Sequence, residues 1–470
     1  MKVTPIIGLE VHVELKTKSK MFCGCDASHF HAQPNTHTCP VCLGLPGALP
    51  VPNKTACDWD IKLGLALGCS INRNSFFERK NYFYPDLPKG YQITQLQKPF
   101  AINGKIKVDG YDIRINRAHM EEDTGKSVHM TLDGKDVTLL DYNRSGVPLV
   151  EIVSEPDIPS AQVAKSYLNK IQQIVRYIGI SDADIEKGSM RCEPTVNLCI
   201  DDKYFTPLVE IKNVASLTGV LNAIEFEIKR QTQEYIDSNI VKSDTNKTTR
   251  GWDADKSLTF LQREKEGSAD YRYFPEPDIP PIEYSDDEIE AIRASLPELP
   301  DQKIARYKSY NLSDYDANLL ADDAVFSAIF EKALNNSTDF EFAKFVTNLF
   351  IGPLKTISLE IEKINPIFFK NIFEHKKELS STAIKQLILD SYETGIDPLE
   401  IAKSKNLFQV SDTGKIEEIA KKIIADNPKA VADYQKNPLS IGFLIGQLMR
   451  ASAGSANPQL AKEILEKLLK

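Results

Sequence analysis

Residues 6–14 alternate without a break: Ile7, Leu9, Val11 and Val13 fall on one side, Glu10, His12 and Glu14 on the other. Side chains in a strand have a period of two, so the pattern predicts a strand with one face in a core and a row of oxygen and nitrogen donors on the other. Two later segments repeat it. Val150 and Ile152 flank Glu151, and Val209 and Ile211 alternate with Glu210 and Lys212. An alternating Ile113/Ile115 run leads into a fourth acidic element, His119-Met-Glu-Glu-Asp123. Three acidic strand faces of this kind are expected to line one cavity.

Helical spacing is rarer in this first part, where two helices are expected among the strands. The better one covers residues 160–178, with Val163, Tyr167, Ile171, Ile174, Val175 and Ile178 on one stripe, Ser160 as N-cap and Gly179 as the glycine stop. From Ser285 onward the chain reads as successive helices, opening on the capping-box pattern Ser285-Asp-Asp-Glu288 ahead of Ile289, Ile292 and Leu296. A polar joint at 406–414 precedes a last helical module with Ile416, Ile419, Ile423 and Ile424, then 442–449 and 460–469. Its Gly442/Gly446 pair sits in an apolar run too short for a membrane helix dimer and is expected to serve close helix packing in water. The predicted class is α+β, with domains over 1–290, 291–405 and 406–470.

The 470 residues, 42% hydrophobic and 26% charged, have ordinary globular composition. The N-terminus lacks an apolar leader and no run of eighteen apolar residues occurs, so a cytoplasmic protein without a membrane segment is expected. A net charge of −9 argues against non-specific coating of nucleic acid, while leaving room for a tRNA held by a local basic patch. Gly125-Lys126-Ser127 resembles the end of a phosphate-binding P-loop, but Met120 stands where that motif needs glycine. Any nucleotide site must therefore be built from metals and basic side chains.

Four of the eight cysteines form two close pairs, Cys23-Gly-Cys25 and Cys39-Pro-Val-Cys42, with thirteen residues between them. Such pairs can converge on one tetrahedral zinc, a closed structural site when all four ligands are thiolates. Reduced buried thiols, redox chemistry at Cys39 and Cys42, and a mixed site drawing on His29, His31 or His37 are the other readings. Cys57, Cys69, Cys192 and Cys199 are expected in the core. Alternating charge on one strand usually marks a solvated face, but several such strands, with His12 between two glutamates, suit Mg²⁺ or Mn²⁺ bridging nucleotide phosphates. The Phe77–Tyr91 segment interleaves cations, aromatics and prolines, with Lys80 and Lys89 placed to contact phosphate or line a polar passage. Arg250-Gly-Trp-Asp and the Arg263–Asp278 stretch have the same character.

Longer motifs point to a family. Ile7-Gly-Leu-Glu-Val-His-Val-Glu-Leu15, Arg79-Lys-Asn-Tyr-Phe-Tyr-Pro-Asp86, His119-Met-Glu-Glu-Asp-Thr-Gly-Lys126 and the run from Asp141 to Asp157 resemble the B component of the glutamyl/aspartyl-tRNA amidotransferase, the GatB family. Gly188-Ser-Met-Arg-Cys192, Glu210-Ile-Lys-Asn213, Asp270–Asp278, 442–449 and Ala456-Asn-Pro-Gln459 extend the resemblance over nearly the whole chain. It implies a catalytic cradle around an antiparallel sheet, an all-α helical domain and a YqeY-type tail that helps hold tRNA. The implied chemistry is ATP-dependent phosphorylation of the side-chain carboxylate of Glu on tRNA(Gln), or Asp on tRNA(Asn), then displacement of phosphate by ammonia. The resemblance places catalytic Mg²⁺ on His12, Glu122 and Glu151, with Glu10 and Glu210 for a second metal site. It also puts Lys80, Tyr82 and Lys89 along the ammonia passage, names a glutaminase A component and a small C component as partners in a heterotrimer, and makes zinc a stabilising accessory. Two other classes compete: a non-catalytic tRNA-binding or assembly module, and an independent zinc-dependent redox or hydrolytic enzyme.

Overall fold

The alternating segment lies in a long strand, Val3–Glu14, at the middle of a thirteen-stranded sheet in the computed structural model, which describes residues 1–265, 271–408, 413–452, 456 and 458–469. Residues 266–270 of the second aromatic stretch, 409–412 of the polar joint and 457 of the Ala456–Gln459 motif lie outside the described residues. Pro148–Ser154 and Met190–Ile200 flank the central strand, both antiparallel. Tyr111–Glu122 pairs with the outer side of Pro148–Ser154, and Val209–Lys212 with that of Met190–Ile200. Among the described residues the expected antiparallel order has one exception. Val209–Lys212 runs parallel to Lys247–Asp253, because the helix Leu217–Ser238 between them carries the chain back to the same end of the sheet.

Ile7, Leu9, Val11 and Val13 point into the core and are buried to within 1% of completely. Removing each such side chain from water contributes about 1.5–3 kcal/mol. That core contains residues of three long helices, one more than the hydrophobic pattern indicated: Lys54–Ala66, Ala161–Tyr177 and Leu217–Ser238. Ser160 caps the second by accepting from the Val163 N–H, and Gly179, at φ 76°, takes the left-handed turn that ends it. With the core covered by helices, the sheet's other face is left to the polar side chains.

A buried ion network ties the crossover helix to the sheet edge. Glu227, fully buried, accepts from Arg230 Nε and Nη2, from Gln231 and from the Thr259 hydroxyl, and lies 3.3 Å from Arg250 Nε. Glu227→Ala leaves the Arg230 and Arg250 guanidiniums without their shared anion and is expected to cost about 3 kcal/mol or more, read as a lower urea midpoint at unchanged slope.

The chain divides into two units, Met1–Leu299 and Pro300–Lys470. The capping box forms, with the Ser285 N–H donating to Glu288 and the Glu288 N–H to Ser285, but its helix stays with the first unit. Ile289 joins the first core, and Ile292, Leu296 and Leu299 pack against it, which carries that unit past the expected boundary near 290. The second unit is helical and holds two separate cores, one around Tyr307, Phe330, Phe350 and Phe369, the other around Ile416, Leu444, Leu448 and Leu465. Gly442 and Gly446 lie in the helix Ile441–Ala451, where a methyl group on either would meet nothing within 4 Å, so the close packing expected of the pair is not made among the described residues. No described helix is long and apolar enough to cross a membrane.

Candidate active site

The sheet register brings the acidic strands together. His12 lies directly opposite Glu151 on one side and Arg191 on the other, and Glu151 lies opposite His119. Directly opposed residues share a face, so Arg191, His12, Glu151 and His119 form one row across four strands. Glu10 faces Glu193 in the neighbouring row, and Thr195, two residues along from Glu193, is paired with Glu210. These groups line a cleft of about 430 Å³, together with Lys80, Tyr82 and Tyr271.

At its centre His12 Nε2 stands 3.5 Å from Glu151 and 3.7 Å from Glu121. His119 Nε2 is likewise 3.5 Å from Glu151 and 3.7 Å from Glu121. One ligand atom from each of His12, Glu121 and Glu151 falls within 4.8 Å of the others. This corrects the expectation for Glu122. Glu122 points to the opposite side of its strand, where its carboxylate accepts from Lys89 Nζ at 2.6 Å and from the Ile93 N–H at 2.9 Å. The cause is a bulge: Val153 pairs with Arg117 but Ser154 pairs with Ile115, so Asn116 is an extra residue and the parity of the strand changes there. Ile113 and Ile115 are buried before the bulge, Ala118 and Met120 after it, and the cleft therefore receives His119, Glu121 and Asp123.

Burial pulls the His12 imidazole toward the neutral form, but Glu151, Glu121 and Glu193 outweigh it and hold its pKa up at about 9. Burial and Glu151 push Glu121 up, while Lys80 and His119 bring it below the ordinary value. Glu151 is held well below it, its burial overcome by His119, His12 and Lys80. Glu10 goes the other way, raised by burial and by Glu151, Glu210 and Glu193. Arg191 donates to Asp123 at 2.8 Å and lies 3.4 Å from Glu14, holding both carboxylates at the cleft margin. Lys212 reaches Glu193 at 2.5 Å and Glu210 at 3.1 Å.

The four knuckle sulfurs also converge within 4.8 Å of one another, with Cys39 and Cys42 Sγ 3.9 Å apart. A zinc tetrahedron with bonds of roughly 2.3 Å has an edge of about 3.8 Å, so this donor set fits the ion. The Cys42 thiol is pulled down by its hydrogen bond with Cys23, against burial, with help from the Cys39 N–H and Lys20. Of the histidines that could join a mixed Cys/His site, His29 turns its Nε2 to Glu14 at 2.9 Å.

Comparison with known proteins agrees with this layout. The family profile described as the GatB/GatE catalytic domain matches residues 5–290, and that described as the GatB domain matches residues 328–469. The B component of the aspartyl/glutamyl-tRNA(Asn/Gln) amidotransferase of Persephonella marina is 44% identical over 484 aligned positions covering all of both chains. The chain belongs to the GatB family. The component of the same name from Thermotoga petrophila is 42% identical over 493 positions, covering 100% of this chain and 99% of its own, and that of Dehalococcoides mccartyi 44% over 488, covering 99% and 98%.

In this GatB-family chain His12, Glu151, Glu10 and Glu210 share the cleft, as the alternation of the acidic strands anticipated, with Lys80 and Tyr82 beside them. Lys89 does not. With Glu122, Tyr91, Cys42 and Gly146 it lines a separate cavity of about 100 Å³ beside the knuckle. Glu121, Glu193 and Arg191 escaped notice although their signal was present: each follows the two-residue step of its strand once the bulge is known. Lys20 gave no signal. It is fully buried and donates to the carbonyls of His37 and Tyr142, with Cys42 Sγ 3.8 Å away, so its amine head faces the four-cysteine cluster.

Proposed function

We propose that this chain is the carboxylate-activating subunit of a tRNA-dependent amidotransferase, acting on Glu-tRNA(Gln), Asp-tRNA(Asn) or both. The observation that carries the reading is the His12, Glu121 and Glu151 cluster on the floor of a cleft rimmed by Lys80 and Arg191. One imidazole with two carboxylates is a donor set for Mg²⁺ or Mn²⁺, and Glu10, Glu193 and Glu210 offer a second. Bound divalent metal would supply charge neutralisation for the ATP triphosphate. Lys80, whose charged form is favoured by Glu121 and Glu151 over the opposing effect of burial, offers a cation to the transferred phosphoryl group.

A side-chain carboxylate oxygen bonds to the γ-phosphorus, the bond to ADP breaks, and ammonia then attacks the acyl carbon as phosphate leaves and one proton is lost. Ammonia is supplied by the glutaminase A component in a heterotrimer with the small C component. Lys80 and Tyr82 in the cleft, and Lys89 paired with Glu122 on the far face of the Tyr111–Glu122 strand, line its approach. In this reading residues 1–290 form the catalytic cradle, 291–405 the helical domain and 406–470 the tail that holds tRNA, in the cytoplasm. The separate core around Ile416 and Leu444 supports the last division.

The test is amidation of Glu-tRNA(Gln) and Asp-tRNA(Asn) by the assembled complex supplied with ATP and ammonium. His12→Ala is expected to abolish product while tRNA binding persists. Unchanged amidation in the variant contradicts the reading and favours a binding module.

The knuckle is proposed to hold one zinc per chain. Cys42→Ser is expected to lose that zinc in metal analysis and to lower the melting temperature by several degrees, while ammonium-driven amidation by the folded fraction continues, since a four-thiolate site has no open position.

A further inference from the structure

Lys20 sits where the two halves of the cysteine knuckle meet. Its backbone N–H donates to the Cys25 carbonyl at 3.0 Å, and the Ala27 N–H donates to the Lys18 carbonyl at 3.2 Å, so residues 18–20 hold the first cysteine pair. Its side chain crosses to the second pair. Nζ donates to the His37 carbonyl at 2.7 Å and lies 3.8 Å from Cys42 Sγ, which also accepts from the Cys39 N–H at 3.1 Å. A further bond from Nζ to the Tyr142 carbonyl, at 3.3 Å, ties the knuckle to the segment that follows the Lys135–Asp141 strand. The Cys42 carbonyl meets the same segment, accepting from the Ser145 hydroxyl at 3.3 Å. Lys20 is fully buried, a rare state for lysine without an anionic partner, and among the described residues it makes no ion pair with a carboxylate. A lysine head offers three N–H donors and no acceptor. Two carbonyl oxygens and the Cys42 sulfur surround it, and a metal-bound thiolate would complete both the donor set and the charge.

We infer that Lys20 is the counter-cation of the zinc knuckle, a positioning residue that joins the two cysteine pairs and offsets part of the charge on the metal-thiolate centre. The inference rests on zinc occupancy of the knuckle, proposed above. Four thiolates on one Zn²⁺ leave a net charge of about −2, and charge withdrawn from water is costly unless it is paired and hydrogen-bonded. Cys42 is the buried member of the four, whereas Cys23, Cys25 and Cys39 are partly exposed. The lysine therefore stands at the one sulfur that water reaches least. Its backbone bond to Cys25 and its side-chain bonds beside Cys42 also hold the two pairs in register before metal arrives, so that less order has to be imposed on binding. Groups that support metal ligands in this way set metal affinity by about 10–100-fold.

The experiment takes the full chain as wild type, Lys20→Met and Lys20→Gln, strips each of metal and titrates it with Zn²⁺ against a competing chromophoric chelator. Lys20→Met is expected to weaken zinc binding about 10–100-fold, and Lys20→Gln, which stays polar but carries no charge, to weaken it in the same direction. Co²⁺ in place of zinc reads the sulfurs themselves. Loss of the N–H donor raises the energy of the thiolate lone pairs, so the sulfur-to-cobalt charge-transfer band should move to longer wavelength in Lys20→Met, a shift that loss of packing alone does not give. Melting of each chain with and without zinc separates a merely structural role. The inference predicts that zinc raises the melting temperature of wild type by more than that of either variant. Equal zinc increments, wild-type zinc affinity in both variants or an unmoved cobalt band would overturn it and leave Lys20 as a packing residue. If wild type takes up no zinc, the zinc site itself falls and the inference with it, a result that the wild-type titration reads alone.

Discussion

Glu121→Gln is expected to lower ATP-dependent amidation by about 100-fold or more, whether nitrogen comes from ammonium or from glutamine, whereas Glu122→Gln is expected to impair the glutamine-driven reaction far more than the ammonium-driven one. The two residues are neighbours in sequence with opposite surroundings. Glu121 stands 3.7 Å from both His12 and His119, inside the cluster proposed to hold the catalytic metal. Removing its charge weakens the site where phosphoryl charge must be neutralised, an effect worth about 3 kcal/mol in comparable cases. Glu122 instead anchors Lys89 on the far side of the strand. Its neutralisation frees that lysine and disturbs a polar route, while high ammonium reaching the cleft directly restores much of the rate. Steady-state amidation with each nitrogen source separates the two, and equal loss in both variants under both conditions would contradict the assigned faces.

Asp60→Asn is expected to stabilise the fold at neutral pH. Asp60 lies in the helix Lys54–Ala66, is fully buried, and neither carboxylate oxygen has a hydrogen-bond partner. Burial raises its pKa from the ordinary 3.8 to about 8. The folded chain therefore keeps a proton that the unfolded chain releases above pH 4. Stability contributed by the protonated group is complete below about pH 4 and is lost as pH rises toward 8, reaching about 4 kcal/mol of cost near neutrality. Asparagine does not ionise. Urea unfolding should show a stabilisation that shrinks to near zero at pH 4 and grows toward pH 8, and a pH-independent difference would show that Asp60 is not protonated in the folded state.

The acidic face of Val3–Glu14 was legible because a half-buried strand enforces its two-residue period over every position. The same rule failed across Tyr111–Glu122, where the Asn116 bulge shifts the buried positions from Ile113 and Ile115 to Ala118 and Met120 and reverses which carboxylate enters the cleft. The Cys23, Cys25, Cys39 and Cys42 spacing announced the convergence of four sulfurs, but not the Lys20 side chain beside them, since an isolated lysine carries no period. The parallel pairing of Val209–Lys212 with Lys247–Asp253 depends on how the Leu217–Ser238 helix crosses over, a long-range matter that neither segment encodes locally.

The central claim is that the side-chain carboxylate itself attacks ATP, and an isotope measurement meets it most directly. Glu-tRNA(Gln) carrying heavy oxygen in its side-chain carboxylate is turned over by the assembled complex with ATP and ammonium, and the released phosphate is analysed by mass. The account predicts one heavy oxygen in each phosphate formed with the amide. Amide produced with unlabelled phosphate would contradict it.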